Sequence, residues 1–352
     1  MPEPVLLREI YIMVLERKEA YQRHRANFFD KLPKNSIAII ANPPAKIRNE
    51  DVEYSYRSNS HFQYLTNFPE AETVAVFSKL NDSCKYYLFC LPKDLSKESW
   101  TGKRIGTLAA RKYYGADEAY DLDQLPLKIS EWLKKPRPTL WMLHEELDGQ
   151  SQPVEIYERL KKKCAKAKVT FPKANQIQDL TPALMALRDT KDSYELQELR
   201  NAAMASMFGH LSAWQILSPG VTETHLYVKL IRAFLLYANP HGLAYPCVVA
   251  GANRANTLHY QANDQLLEDG ELVLIDAAAE TKEGYASDIT RTAPVNGKFS
   301  AAQAKVYQQV LNIQKELIAM CVPGTNFYDI QDRMVRLATK ALDFNCGVAQ
   351  RN

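Results

Sequence analysis

The sequence predicts a two-domain α/β (α+β) protein, and three observations lead there. Short apolar strands alternate with amphipathic helical stretches through the first half. At 352 residues the chain is long for one hydrophobic core. A stretch rich in Pro, Asn and Gln, residues 172–190, separates that half from a second one that opens on a long helix. The implied division is a first domain over 1–175, a linker over 176–191 and a second domain over 192–352.

The first domain starts with a helix to about residue 30, since Leu6, Ile10, Val14 and Leu15 recur at helical spacing between charged residues. The run Ser36-Ile37-Ala38-Ile39-Ile40 reads as a strand. In the segment 52–68, Phe62 and Tyr64 alternate with polar neighbours, which predicts a half-buried strand. Further strands are expected over 73–77, 85–91 and 139–143, and helices over 106–114, 127–134 and 154–163. Trp100, inside KESWTGKRIG, is expected to pack rather than to contact a ligand.

The second domain opens with Asp192-x-x-Glu195, a capping arrangement for the following helix. Leu196, Leu199, Ala203, Met207, His210, Leu211 and Trp214 trace its apolar stripe, with His210 as a core-edge histidine. Ser218-Pro219-Gly220 stops that helix, and Thr222 caps a second one running to about Tyr237. Strand-like pieces follow over 244–250 and 257–260. Ser300 then caps a helix to about Cys321, Val322-Pro323-Gly324 breaks it, and a last helix ends near Leu342. The blocks LSPGVTETHLYVKLIRAFL and CVPGTNFYDIQDRMVRLATKAL share one plan, helix, Pro-Gly, helix, as an internal repeat would.

Bulk properties exclude several classes. A net charge of +3 gives no footprint for a dedicated nucleic-acid binder, and the run Lys161-Lys162-Lys163 suits a solvated helix face. No apolar stretch approaches membrane-spanning length. The six cysteines are scattered without zinc spacing, as reduced thiols of a cytoplasmic protein would be.

The chemistry concentrates in GELVLIDAAAETKEGYASDITRTAPVNG, residues 270–297. An apolar strand ends on Asp276, a polar turn over 282–284 reverses the chain, and a second strand returns through Asp288. With the turn centred on Lys282, Asp276 falls opposite Asp288. Facing carboxylates repel unless a cation sits between them, so a bridging divalent metal is one reading. Two solvated aspartates at a hairpin end are the other.

At these residues the chain resembles the aminopeptidase P branch of the creatinase/prolidase "pita-bread" metallopeptidases. LEDGELVLIDAAAE, GYASDITRTAPVNGKF and GANRANTLHY are similar to its catalytic domain, EYSYRSNSHFQYLTNF and KESWTGKRIG to its N-terminal domain, and LRDTKDSYELQELRNA to its interdomain helix. The resemblance covers about residues 37–344. It implies a creatinase-like N-terminal domain followed by a pita-bread domain. It further implies two metal ions, usually Mn²⁺, with Asp276 and Asp288 as the first two ligands and His259 as a catalytic histidine beside the substrate. The implied reaction releases an N-terminal residue from peptides with proline at the second position. The family's other ligands, one His and two Glu, match nothing in this chain. The resemblance therefore implies a pita-bread domain lacking its C-terminal part and a chain inactive alone. Ala278 and Asn67 stand where the family usually carries Gly. The alternatives are a non-catalytic relative or partner-binding fragment, which could join a homo-oligomer or a full-length family member, and, among enzymes, a prolidase.

Overall fold

The computed structural model describes residues 3–80, 83–134, 138–143, 154–238 and 243–346. The chain divides into two compact units. The first takes residues 1–202, 238–242 and 280–286, and the second takes 203–237, 243–279 and 287–352.

The first unit is a six-stranded mixed sheet clad with helices. In chain order it contains α1 (Glu3–Lys31), β1 (Ser36–Ala41), the ribbon β2 (Ile47–Asn49) and β3 (Val52–Glu53), α2 (Ser60–Thr66), β4 (Val74–Leu80) and β5 (Ser83–Cys90). There follow α3 (Leu95–Thr101), α4 (Gly106–Tyr114), β6 (Glu118–Asp121), α5 (Leu125–Trp132), β7 (Thr139–Met142), α6 (Val154–Lys166), β8 (Gln178–Asp179) and α7 (Thr181–Asp189). The strand order is β6-β5-β4-β1-β7-β8, with β4 antiparallel to both neighbours and the outer pairings parallel.

Strand β1 is buried along its whole length, which is why it reads as an unbroken apolar run. Its residues alternate between two cores. Ala38 and Ile40 join Phe28, Phe62, Phe77 and Leu184 on one face. Ile37 and Ile39 join Val76, Phe89, Ile129 and Leu160 on the other.

Three expectations fail here. The segment around Phe62 and Tyr64 is helix α2, not a strand. The Asn59 side chain accepts the His61 and Phe62 amides, and Asn67 ends the helix in the left-handed region at φ +52°. The stretch 176–191 is folded rather than a linker: it supplies β8 and α7, and Leu180 and Leu184 are fully buried. Trp100 lies on α3, a helix with no buried residue, and is 88% exposed, so it does not pack.

The long helix α8 (Ser193–Trp214) carries the expected reciprocal cap. The Glu195 amide donates to Asp192 Oδ1 at 3.0 Å, and the Asp192 amide donates to Glu195 Oε2 at 2.9 Å. Its buried face differs from the predicted stripe. Ala202, Ala205, Ser206, His210 and Ala213 are buried, whereas Leu196, Met207 and Leu211 are exposed. Small residues face inward because packed elements come close: a Cβ on Gly209 would stand 2.3 Å from Phe234.

The second unit continues with α9 (Glu223–Tyr237), β9 (Val248–Gly251), β10 (Leu272–Asp276), β11 (Thr290–Pro294), α10 (Ala301–Met320) and α11 (Phe327–Cys346). Strand β10 lies between β9 and β11, antiparallel to both. Residues 257–260, expected as a strand, form turns instead. Both Pro-Gly breaks use the same device, with Gly220 at φ +93° and Gly324 at φ +92°. Ser300 and Gln303 form a second reciprocal cap on α10. Among the described residues no helix is long and apolar enough to cross a membrane. The cysteines described are all free, three of them buried; Cys346 and the tail after it lie outside the described side chains.

Candidate active site

Strand β10, the central one of three, ends on Asp276. On one side Asp276 pairs with Val248, and on the other with Thr290. This corrects the expected register. The hairpin is centred on Glu283 rather than Lys282, since Glu280 bridges Ala286 and Asp276 pairs Thr290. Asp288 is therefore a diagonal neighbour of Asp276, two positions from Thr290. A two-residue offset preserves the face in a strand-like chain, so both acids project to the same side.

The side chain that joins them is Tyr245. Its hydroxyl lies 2.6 Å from Asp276 Oδ1 and 3.0 Å from Asp288 Oδ1. Burial and the two carboxylates push the phenol above its ordinary range, so it keeps its proton at neutral pH. A hydroxyl holds one proton and can donate to one acid at a time. Three oxygens thus converge with one hydrogen among them, an excess of lone pairs that suits a hard cation. That donor set fits a hard divalent ion. Among the described residues, no third His, Cys, Asp or Glu donor joins these two acids.

Helix α8 clamps the backbone on both sides of the pair. His210 is buried, and its Nε2 donates to the Ala277 carbonyl at 2.9 Å. The Ser206 hydroxyl accepts the Ala279 amide at 2.8 Å and shares a hydrogen bond of 2.7 Å with Ser287. Burial lowers the His210 pKa, as a neutral structural histidine requires. Ala278 is fully buried and has no positive φ, so an alanine there carries no backbone strain.

His259 lies on the loop after β9 and is exposed. It makes no hydrogen bond or ion pair with either aspartate among the described residues. Its neighbour Tyr260 is fixed by a hydrogen bond of 2.9 Å to the buried Glu223. Tyr245, Ser206 and Glu223 escaped sequence reasoning. Tyr245 sits before a proline with no motif around it, and the other two act through partners about 30 to 80 positions away that only folding brings near.

A second gathering of metal-type donors, His24, Asp192 and Glu195, belongs to the first unit. Its carboxylates are already engaged by the α8 cap, by Arg23 and by the Tyr285 hydroxyl.

The sequence pattern of metallopeptidase family M24 matches residues 197–350, and that of the aminopeptidase P N-terminal domain matches 21–141. The Xaa-Pro aminopeptidase of Haemophilus influenzae is 32% identical over 95% of this chain and 74% of its own length. Human Xaa-Pro aminopeptidase 3 is 34% identical over 96% of this chain and 64% of its own. Aminopeptidase P from E. coli, solved with the inhibitor Pro-Leu, superposes with a TM-score of 0.83 at 30% identity, over 93% of this chain and 73% of that one. The chain thus spans about two thirds to three quarters of the relatives it matches. With both halves matched in order, at sequence and at fold level, this chain belongs to the aminopeptidase P family of M24 metallopeptidases.

Proposed function

We propose that the protein is a Mn²⁺-dependent Xaa-Pro aminopeptidase of the cytoplasm, with Asp276 and Asp288 as metal ligands and His259 beside the scissile bond. One observation carries the reading: the two carboxylates meet at a single hydroxyl, Tyr245, that cannot satisfy both. Oxygen-only donors favour Mn²⁺ over softer thiolate-seeking ions, and free thiols fit a reducing compartment. Metal bound at such a pair supplies a nucleophilic oxygen at neutral pH and stabilises oxyanion charge.

The chain's own residues do the rest. Tyr245 orients the Asp276 and Asp288 oxygens toward one point. His210 and Ser206 hold the strand segments that bear them. His259, exposed on its loop, is free to donate a hydrogen bond to a peptide carbonyl. Substrates are peptides with proline second, as the names of the relatives indicate.

For the polypeptide 1–352 alone, we propose weak metal binding and little turnover. Two carboxylates leave most positions on two divalent ions to water. Purified chain dialysed against Mn²⁺ is expected to retain metal through the aspartates, with Asp276→Asn and Asp288→Asn each weakening binding at least about tenfold, the equivalent of about 1.4 kcal/mol. Metal retention unchanged in the double variant would remove the site. Fast release of the first residue from an Xaa-Pro peptide by the isolated chain would remove the claim of inactivity.

The second reading is a partner-binding fragment, in an oligomer with itself or with a longer relative. It is favoured by the exposed apolar residues of α10 and α11, among them Val310, Ile318, Phe327 and Leu342. Gel filtration of the pure chain tests it, a monomer at micromolar concentration being the outcome against self-association.

A further inference from the structure

Glu223, the first residue of α9, is fully buried. Its carboxylate accepts four hydrogen bonds, each from a different residue. Oε1 takes the Gly251 amide at 2.8 Å and Arg254 Nε at 2.7 Å. Oε2 takes the Tyr260 hydroxyl at 2.9 Å and the Gln265 amide at 3.1 Å. Four donors fill the lone-pair positions of a carboxylate. Gly251 and Gln265 bracket one loop, residues 252–264, and Arg254 and Tyr260 lie within it on either side of His259.

The surroundings serve the same end. Gly251 has no side chain where a Cβ would stand 2.5 Å from the Arg254 guanidinium and 2.5 Å from Leu267, so Arg254 can fold back over the backbone. The returning end of the loop is tied by Asn263, in the left-handed region at φ +49°. Its side chain accepts the Val249 amide at 2.7 Å and donates to the Cys247 carbonyl at 2.9 Å. Val248, between those two, is the residue paired with Asp276. Asn263 is four positions after His259, a reach of at most about 14 Å. The loop therefore keeps His259 within that reach of the tied segment whose Val248 pairs with Asp276.

We propose that Glu223 is a positioning residue: one buried carboxylate gathers both ends of the His259 loop and sets the place of that imidazole over the Asp276 end of the sheet. The proposal rests on the assignment of His259 to the substrate side. It separates His259 from its support. Removing Glu223 frees the imidazole without touching the aspartates.

The test uses the whole chain with histidines labelled at Cε1, the His259 resonance being identified by His259→Asn. Glu223→Gln puts an amide nitrogen against donors, so two of the four bonds become donor–donor contacts. Tyr260→Phe removes one bond and keeps the ring. In Glu223→Gln the His259 resonance is expected to move to the position of a free histidine and to sharpen. Amide exchange at Gly251 and Gln265 should rise about tenfold, the scale of one lost charge-assisted bond. Exchange at Val273 and Ile275 on β10 should not change. Tyr260→Phe is expected to shift His259 part of the way, and Glu223→Asp to restore part of the native signal. An unmoved His259 resonance in Tyr260→Phe and Glu223→Gln overturns the proposal. So does exchange rising equally over β9 and β10, which marks plain destabilisation. Mn²⁺ binding by the unaltered chain, and its weakening in Asp276→Asn, are measured alongside. Their failure counts against the enzymatic reading and leaves the His259 signature to decide the role of Glu223.

Discussion

At Tyr245 one phenol proton serves two acids, and the consequences can be measured. Tyr245→Phe leaves Asp276 and Asp288 without their shared donor. In the metal-free chain this should lower stability by about 1 kcal/mol, a partly exposed charge-assisted bond being worth less than a buried one. Saturating Mn²⁺ should shrink that loss, because a cation would relieve the same repulsion; urea midpoints of both proteins with and without metal report it. Histidine burial gives a pH prediction. His61 accepts from Arg188 at 3.2 Å, and burial with that cation lowers its pKa to about 4. His24 and His210 are lowered too, burial being the main cause in each. A histidine lowered in the fold takes up its proton more readily when unfolded. The stabilisation is full above about pH 6.5, the unfolded value, and is lost as pH falls toward 4. Unfolding midpoints should therefore drop between pH 7 and pH 5, and His61→Gln, which keeps an acceptor for Arg188, should lessen the drop.

The elements divide into those that a local pattern determines and those that distant contacts decide. Strand β1, buried on both faces, and α10, with Ser300 and Gln303 at its cap, are legible because their signals lie within a few residues. Helix α2 is the counterexample. Seven residues are too few for periodicity to separate helix from strand, and the decision falls to Asn59 at its start and Asn67 at its end. Asn59→Ala should then cost about 1 kcal/mol, the usual worth of such a cap. A thermal midpoint unchanged by that substitution would show the helix held by Phe62 and Leu65 alone. Helix α8 misled in another way. Its large apolar residues suggested the buried face, but the inner face carries Ala, Gly, Ser and His because α9 and the hairpin approach closely. Gly209→Ala forces Phe234 aside and should destabilise by about 1–3 kcal/mol, more than a helix-favouring substitution would return. The aspartates were legible as a pair on one face. Their diagonal register was not, because a one-residue shift of the turn centre moves every pairing by two.

For the whole molecule the matter is how two folded units share stability. Among the described residues both apolar clusters of buried residues draw on the first unit, whereas the second rests on a three-stranded sheet and helices with many exposed apolar residues. Chains of this kind often depart from a single all-or-none transition. The tryptophans permit each unit to be followed by itself. Trp132 and Trp141 pack against the first unit's clusters, Trp214 lies in the second, and Trp100 is too exposed to report on either. On the proposal that Asp276 and Asp288 hold the metal, it would bind the folded second unit, so at a hundredfold excess over the dissociation constant it should add about 2.7 kcal/mol there. In urea titrations followed by fluorescence, a chain whose emission comes from Trp214, with Trp132 and Trp141 changed to Phe, should unfold at higher urea when Mn²⁺ is present. The Trp214→Phe chain should not move, and Asp276→Asn should cut the shift at Trp214 to about half or less. A shift of equal size at both sets of tryptophans would mean that the two cores melt together, and a shift undiminished in Asp276→Asn would place the bound metal elsewhere.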